Sequence, residues 1–539
     1  MTASRGERGW FGLCAGLLVA FALAMQVIRL PEPLGIDQGL FACFARWVPR
    51  GALPYRDLFD SKPPLFLYWW SASAVIPGDV VRAAWWWEGL WLAGTLAIAY
   101  ALGKRLGDRW VGLVAAALMF VGFWSPAWGD RGQPFWSRAQ AEEALALPML
   151  VSAWLAWRAN DRAGLALWAG VLVGVCGLFK IPSMVIGLPW VIGWLATMSL
   201  RETARRAFLL VAGTLLPWAL AFGWFAAHGA TGAFTEGVFV YHRYNVAFIS
   251  PPWGSVLQQY ATTMLTQAPL LLVAGGLGVF MLARRSARAT HWAAAWILAT
   301  MAAVVAERQL AGYQYMLAVP ALAMVGAIGV VDVARTLRDR DSRALAAAAL
   351  LGLALFAGSE GLSWWKAYAP DVACLTGRMP RADYLHAIQP GNFSMADEEA
   401  AARWVREATA PGDGLLVWGL SPGLYALADR HPVTRYPFHK ILMTDAPLSR
   451  MWPGLDGRRA DFLDRLRADP PVVVLVGQND ANGFEPQDSF ASLGRFPELR
   501  SLLQRGYESA PPVGRFLVYR RVARDSAART SAAPSATAP

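Results

Sequence analysis

The stretch Gly35–Trp70 reads GIDQGLFACFARWVPRGALPYRDLFDSKPPLFLYWW, and the topology of the whole chain turns on how its end is read. The apolar run that closes it, 64–77 (PLFLYWWSASAVIP), is too short to cross a bilayer, which takes about 17–25 residues of helix. It also sits beside Pro63-Pro64. It is read as an interfacial helix that completes a loop, 29–78, between the first two spans. If it crossed, every later loop would change sides.

Outward from that loop the chain is strongly apolar. Of 539 residues 56% are hydrophobic and 16% charged, where a soluble chain carries roughly 25% charged residues. The 27 Trp cluster near segment ends, at the depth where indole rings sit in a bilayer. A net charge of +11 would suit nucleic acid, but the Lys and Arg fall in short groups between apolar runs. That pattern sets membrane topology and argues against a nucleic-acid partner. Arg5 and Arg8 ahead of Trp10–Ile28 resemble a secretory leader, with Ala22-Leu-Ala24 as a cleavage-like site; the apolar region is long enough to stay as an uncleaved first span.

Eleven spans are expected, near 9–28, 79–102, 110–126, 141–157, 164–179, 181–199, 207–228, 263–283, 290–306, 313–332 and 344–363. With the N-terminus inside, the inner segments carry 17 Lys and Arg, from Arg5 to Arg343. The short outer loops after the second span carry five: Arg131, Arg138, Lys180, Arg243 and Arg308. The bias follows the positive-inside rule. Loop 29–78 is the exception, with Arg29, Arg46, Arg50, Arg56 and Lys62 on the translocated side. Within it Leu40, Phe41, Phe44, Trp47 and Val48 share one helical face, so 38–49 is expected to lie flat at the interface.

The expected fold is therefore a polytopic α-helical membrane domain, 1–369, followed by a small α/β domain, 370–522, outside the membrane. In the second part, helical 396–408, 457–467 and 495–505 each precede a short apolar run, at Leu415–Trp418, Val472–Val476 and Phe516–Tyr519. It holds no GxGxxG and no GxxxxGK[ST]. The tail 523–539, rich in Ala, Ser, Thr and Pro, is expected to be disordered. Four Cys include no CxxC, and only a Cys43–Cys374 bridge is conceivable from the expected topology.

Asp37, then Gly51-Ala-Leu-Pro-Tyr55-Arg56-Asp57, then Asp60-Ser-Lys62-Pro-Pro, resembles the bacterial members of the dolichyl-phosphate-mannose–protein mannosyltransferase family, glycosyltransferase family 39. These are multi-spanning enzymes of the GT-C type, which also includes the aminoarabinose transferases. The likeness is specific in 37–64 and general over roughly 10–365. The family usually has Asp-Glu at the first acidic site; here Gln38 follows Asp37 and leaves one carboxylate.

The resemblance implies an enzyme of a bacterial inner membrane that passes a sugar from a polyprenyl phosphate to an acceptor on the extracytoplasmic side. A lipid-linked phosphate lies at the membrane surface, so its site belongs where loops meet the bilayer. Lys62 and Arg56, with Tyr55, Arg138 and Lys180, are the candidates to hold the phosphate. Asp37 would deprotonate the acceptor hydroxyl or hold a divalent ion, magnesium or manganese; its position equally suits a cap for helix 38–49. Glu142 or Glu143 supplies a second acid, and because neighbours on a helix point about 100° apart, one of the two faces the site. Tyr241, His242, Arg243, Tyr244, Tyr313 and Tyr315 are candidates to line a sugar or prenyl chain, and belt anchoring accounts for them as well. Glu88, inside the second span beside Trp85–Trp87, suits either a structural pair, for example with Arg82, or a role in the site. Two other readings stay open: a lipid or sugar transporter, and a scaffold for the C-terminal domain.

Overall fold

The computed structural model describes residues 5–129, 133–241, 243, 251–336, 343–389, 391–443, 454–481 and 487–522. It comprises two compact units, 1–390 and 391–539.

The first unit is an integral membrane bundle. All eleven expected spans coincide with helical segments, but the segments are unequal. Among the described residues, five helical stretches are long and apolar enough to cross alone: Arg8–Ile28, Arg109–Trp128, Leu200–Ala227, Ala287–Glu307 and Gly312–Thr336. A sixth crossing is made if Trp253–Gln267 and Pro269–Ala283 count together, and that pair is bent by 94°. Others are short, such as Ala146–Arg158 and Leu165–Phe179. At 1.5 Å per residue the latter's 15 residues reach only about 22 Å. Residues 64–72 form a nine-residue helix, well short of a crossing.

Glycines let the helices approach where lipid offers no hydrophobic drive. Leu165–Phe179 and Leu200–Ala227 touch backbone to backbone: a Cβ on Gly170 would lie 2.0 Å from the Leu210 carbonyl, and one on Gly213 equally close to that of Leu167. Pro269–Ala283 and Val319–Thr336 meet the same way through Gly278 and Gly329.

The loop after the first span is not a flat interfacial helix. Ile36–Trp47 is buried on all sides from Gln38 to Ala45. The cause is Gln38, whose amide donates to the carbonyls of Phe135 (3.1 Å), Trp136 (2.9 Å) and Arg138 (3.0 Å) and so draws the second outer loop over it. All four cysteines are free, Cys43 and Cys374 included.

The second unit carries a five-stranded sheet, order β2-β1-β3-β5-β4. Strands β1 (Gly414–Trp418), β2 (His431–Pro432) and β3 (Val473–Gly477) are parallel; β4 (Tyr507–Val513) and β5 (Phe516–Arg521) close it antiparallel. Helices Met395–Ala408, Leu455–Ala468 and Pro497–Gly506 fall where the apolar pattern put them. Every residue of β1 and β3 is buried, as expected of strands covered on both faces. Strands β2 and β4 are the unexpected elements, and β4 the longer. It holds Pro511-Pro512 and is tolerated because it is an edge, with a register shift between Ala510 and Val513. The tail 523–539 lies outside the described residues.

Candidate active site

Loop 53–62 is a tight, self-bonded structure that fixes Lys62. Asp57 accepts from the Leu53 amide (2.8 Å) and returns its own amide to the Leu53 carbonyl (2.9 Å). Tyr55 sits in the left-handed region, φ 69°, a strained setting for a side chain with a Cβ. Its ring is buried edge-on against Phe225 and tilted against Phe234, and its hydroxyl donates to the Lys62 carbonyl at 2.7 Å. Gly237 closes over this turn; a Cβ there would come within 2.7 Å of the Asp60 carbonyl and the Tyr55 ring. Tyr55 thus braces the loop, with its hydroxyl proton committed to the Lys62 carbonyl instead of the phosphate contact expected of it.

Lys62 is presented differently from every other candidate cation. Its Nζ lies 5.9 Å from the Phe41 ring centroid and 5.6 Å from that of Tyr313, and among the described residues it makes no ion pair. Asp37 lies near enough to Tyr313 and to Asp60 to act on both electrostatically, so the aspartate and the lysine flank one tyrosine. Asp37 stands in the first turn of Ile36–Trp47, where a negative charge faces the positive helix end. The cap position is Gly35, and no side chain bonds there, so Asp37 is not the cap. Asp60 completes the acidic side. Its Oδ1 accepts from the Ser61 amide (2.6 Å), while Oδ2 is buried without a partner. Burial pushes its carboxyl from 3.8 up to about 6, against the pull of Lys62 and with Asp37 adding to the rise.

Lys180 is enclosed. It follows the last residue of Leu165–Phe179, pairs with Glu142 and with Glu307 at 2.7 Å, and lies 5.9 Å from the Tyr313 ring. Two carboxylates already match its charge, so it underpins Tyr313 rather than standing open to a phosphate. Glu307 ends the helix Ala287–Glu307, and the left-handed residues Arg308 and Leu310 then turn the chain into the 3₁₀ segment Gly312–Ala318 that carries both tyrosines. Glu142 is the acid on this side.

Glu143 points the other way. Its charged neighbours are Glu88, Arg29 and Arg138, a second cluster that is fully internal. Arg138 donates to Glu88 (Nε, 2.7 Å), Glu32 (2.8 Å) and the Arg29 carbonyl (2.8 Å), with its guanidinium 3.9 Å above Trp85. Arg138 is 1% exposed. Four of its five N–H groups are bonded inside this cluster, so the structure does not present Arg138 for the phosphate contact expected of it. Glu88 pairs with Arg138, while Arg82 pairs with Asp79. This cluster was missed because its members lie up to 109 residues apart; the signal available was charge placed within apolar sequence.

The remaining candidates are peripheral. Arg56 is surface-exposed and paired with Asp57 at 2.8 Å. Tyr241 is half-buried, edge-on to Phe59 at 5.5 Å. Tyr315 is buried between Trp128 and Tyr260. Arg243 is exposed, and His242 and Tyr244 lie outside the described residues. Among the described residues no three His, Cys, Asp or Glu side chains are grouped to hold a metal. A divalent ion at Asp37 would need further donors, and the buried carboxylate oxygens of this region without a hydrogen-bond partner are Asp60 Oδ2, Glu142 Oε2 and Glu307 Oε1.

No protein-family model matches the chain, and no curated protein matches it. Solved structures do. ArnT from Cupriavidus metallidurans bound to undecaprenyl phosphate superposes with a TM-score of 0.58 at 15% identity, covering 96% of this chain and 98% of that one. Its apo state gives 0.56 at 17% identity with the same coverage. The archaeal oligosaccharyltransferase AglB from Archaeoglobus fulgidus, in complex with an inhibitory peptide and a dolichol-phosphate, gives 0.50 at 14%, covering 97% of this chain and 75% of that one. The chain is similar to these proteins in fold.

Proposed function

We propose that this protein is an integral-membrane glycosyltransferase that moves a sugar from a polyprenyl-phosphate donor to an acceptor on the extracytoplasmic side. The observation that carries this reading is Lys62, a cation without an ion pair, beside Asp37 at a shared tyrosine. The fold shared with a protein solved with undecaprenyl phosphate supports the same donor class.

The chemistry follows from the charges. The acceptor hydroxyl attacks the anomeric carbon and loses its proton to Asp37. The bond from that carbon to the phosphate oxygen breaks, and the polyprenyl phosphate leaves with one more negative charge. Lys62 faces that growing charge, which is where a fixed cation lowers the barrier. Tyr313 stands beside Asp37 with the Lys62 ammonium 5.6 Å and the Lys180 ammonium 5.9 Å from its ring, and Glu142 and Glu307 hold Lys180 there. Arg56 contributes from the rim. With loop 29–78 set aside as the exception, 17 cations in the inner segments against five in the short outer loops orient the N-terminus inward and the site outward in a bacterial inner membrane.

A transporter reading has one feature in its favour, the 94° break between Gln267 and Pro269. Membranes supplied with labelled polyprenyl-phosphate sugars separate the two readings. Transfer should fall about 10²–10⁴-fold in Asp37→Asn, the usual cost of a lost general base, and about 10²-fold or more in Lys62→Ala. Equal transfer by both variants and wild type would remove the assignment.

A further inference from the structure

At the end of the bundle opposite the Asp37 cluster lies a second cavity, of about 510 Å³. Its position follows from one helix. Ala287–Glu307 delivers Glu307 to Lys180 at one end and Ser286 and Arg288 to this cavity at the other. Its 21 residues span about 31 Å, a bilayer core.

We propose that this cavity binds the headgroup of an acidic phospholipid from the leaflet opposite the active site. The proposal is independent of sugar transfer; only the name of that leaflet, cytoplasmic, rests on the orientation given above.

Four indoles build the walls. Trp190 stacks on Trp292 at 5.8 Å, Trp157 meets Trp292 edge-on at 5.9 Å, and Trp194 is pinned by its N–H to the Ala156 carbonyl at 3.1 Å. Two cations border it. Arg206 is buried and held by the Ala159 carbonyl (2.8 Å) and by Glu202 (2.5 Å). Arg288 is exposed and, among the described residues, has no carboxylate partner. Glu202 is the one lining carboxylate, and Arg206 already neutralises it. The N-termini of two long helices, capped by Ser199 and Ser286, add partial positive charge on the same side.

A soluble phosphate compound would find the same charge, but the surroundings favour a lipid. Leu188, Ile192 and Leu195 on the adjoining helix are 57%, 40% and 51% exposed, and Trp157 is 45% exposed. The three aliphatic residues form an exposed apolar face of the helix Gly187–Leu195, whose other side turns Trp190 and Trp194 into the cavity, a surface suited to acyl chains beside the headgroup. Basic pockets between membrane helices on the cytoplasmic side take acidic headgroups in this way.

The test uses the full-length protein purified in detergent, with native mass spectrometry to count bound lipid. The probes are dioleoyl phosphatidylglycerol, dioleoyl phosphatidylcholine and inorganic phosphate. Wild type should retain phosphatidylglycerol in preference to phosphatidylcholine. Arg288→Glu should weaken that binding roughly 10- to 30-fold, the effect of reversing one charge near a headgroup. Arg284→Glu, on the same face but outside the cavity, should change it less than about threefold. Equal retention of the two lipids, or equal loss in the two variants, would overturn the proposal. Displacement of phosphatidylglycerol by equimolar inorganic phosphate would assign the cavity to a soluble phosphate compound and overturn it too.

Discussion

Replacing Lys180 with Met separates a structural lysine from a phosphate-binding one. In the structure Lys180 is a single cation between Glu142 and Glu307, both buried, each with one carboxylate oxygen that has no hydrogen-bond partner. Lys180→Met keeps the volume of the side chain and leaves two facing carboxylates without compensation. Breaking a buried ion pair from one side costs about 3–5 kcal/mol, and two stranded acids put this variant at the upper end. The assay is thermal unfolding of purified protein in detergent, paired with donor-dependent transfer. The decisive comparison is the double variant Lys180→Met/Glu307→Gln, which removes one stranded charge and should regain about half of the lost stability, with activity rising in parallel. A lysine that acted on the lipid phosphate would show the reverse: little loss of stability, a higher KM for donor, and no recovery in the double variant. That outcome would refute the reasoning.

Two further predictions test the loop that holds the site. Asp60 has its carboxyl raised from 3.8 to about 6 by burial, so the folded state binds more protons than the unfolded state between about pH 4 and 6. Stability must therefore fall as pH rises through that window, and Asp60→Asn, which keeps the acceptor for the Ser61 amide, should remove the slope and gain on the order of 2 kcal/mol at pH 7.5; thermal unfolding at pH 4.5 and 7.5 reads both. Gln38→Glu exchanges an amide donor to three carbonyls for a buried charge facing them, and should cost about 3 kcal/mol or more, seen as a lowered unfolding temperature.

Much of this arrangement was legible in the sequence because it was local or periodic. The length of 64–77 excluded a crossing, and a nine-residue helix stands there. The alternation in the C-terminal region located the parallel strands β1 and β3. Asp37 and Lys62, 25 positions apart, were both singled out, and the fold brings them to Tyr313. What escaped was pairing at long range. Arg138, Lys180 and Arg56 look alike in a list of outer cations, yet one is buried in a carboxylate cluster, one sits between two acids and one is on the surface. Neighbouring Glu142 and Glu143 face different clusters, which only the helix Ala141–Ala144 and its surroundings could decide. Strand β4 hid behind two prolines that only an edge position permits.

In the proposed site Lys62 meets a lipid phosphate beside an acid that is used for proton transfer and not for binding. Titrating purified protein with undecaprenyl phosphate, the carrier without its sugar, isolates that claim. Wild type and Asp37→Asn should bind within about threefold of each other, and Lys62→Ala should bind at least tenfold more weakly, the loss of about 1.4 kcal/mol or more expected when a charged hydrogen bond to phosphate is removed. Undiminished binding by Lys62→Ala would contradict it.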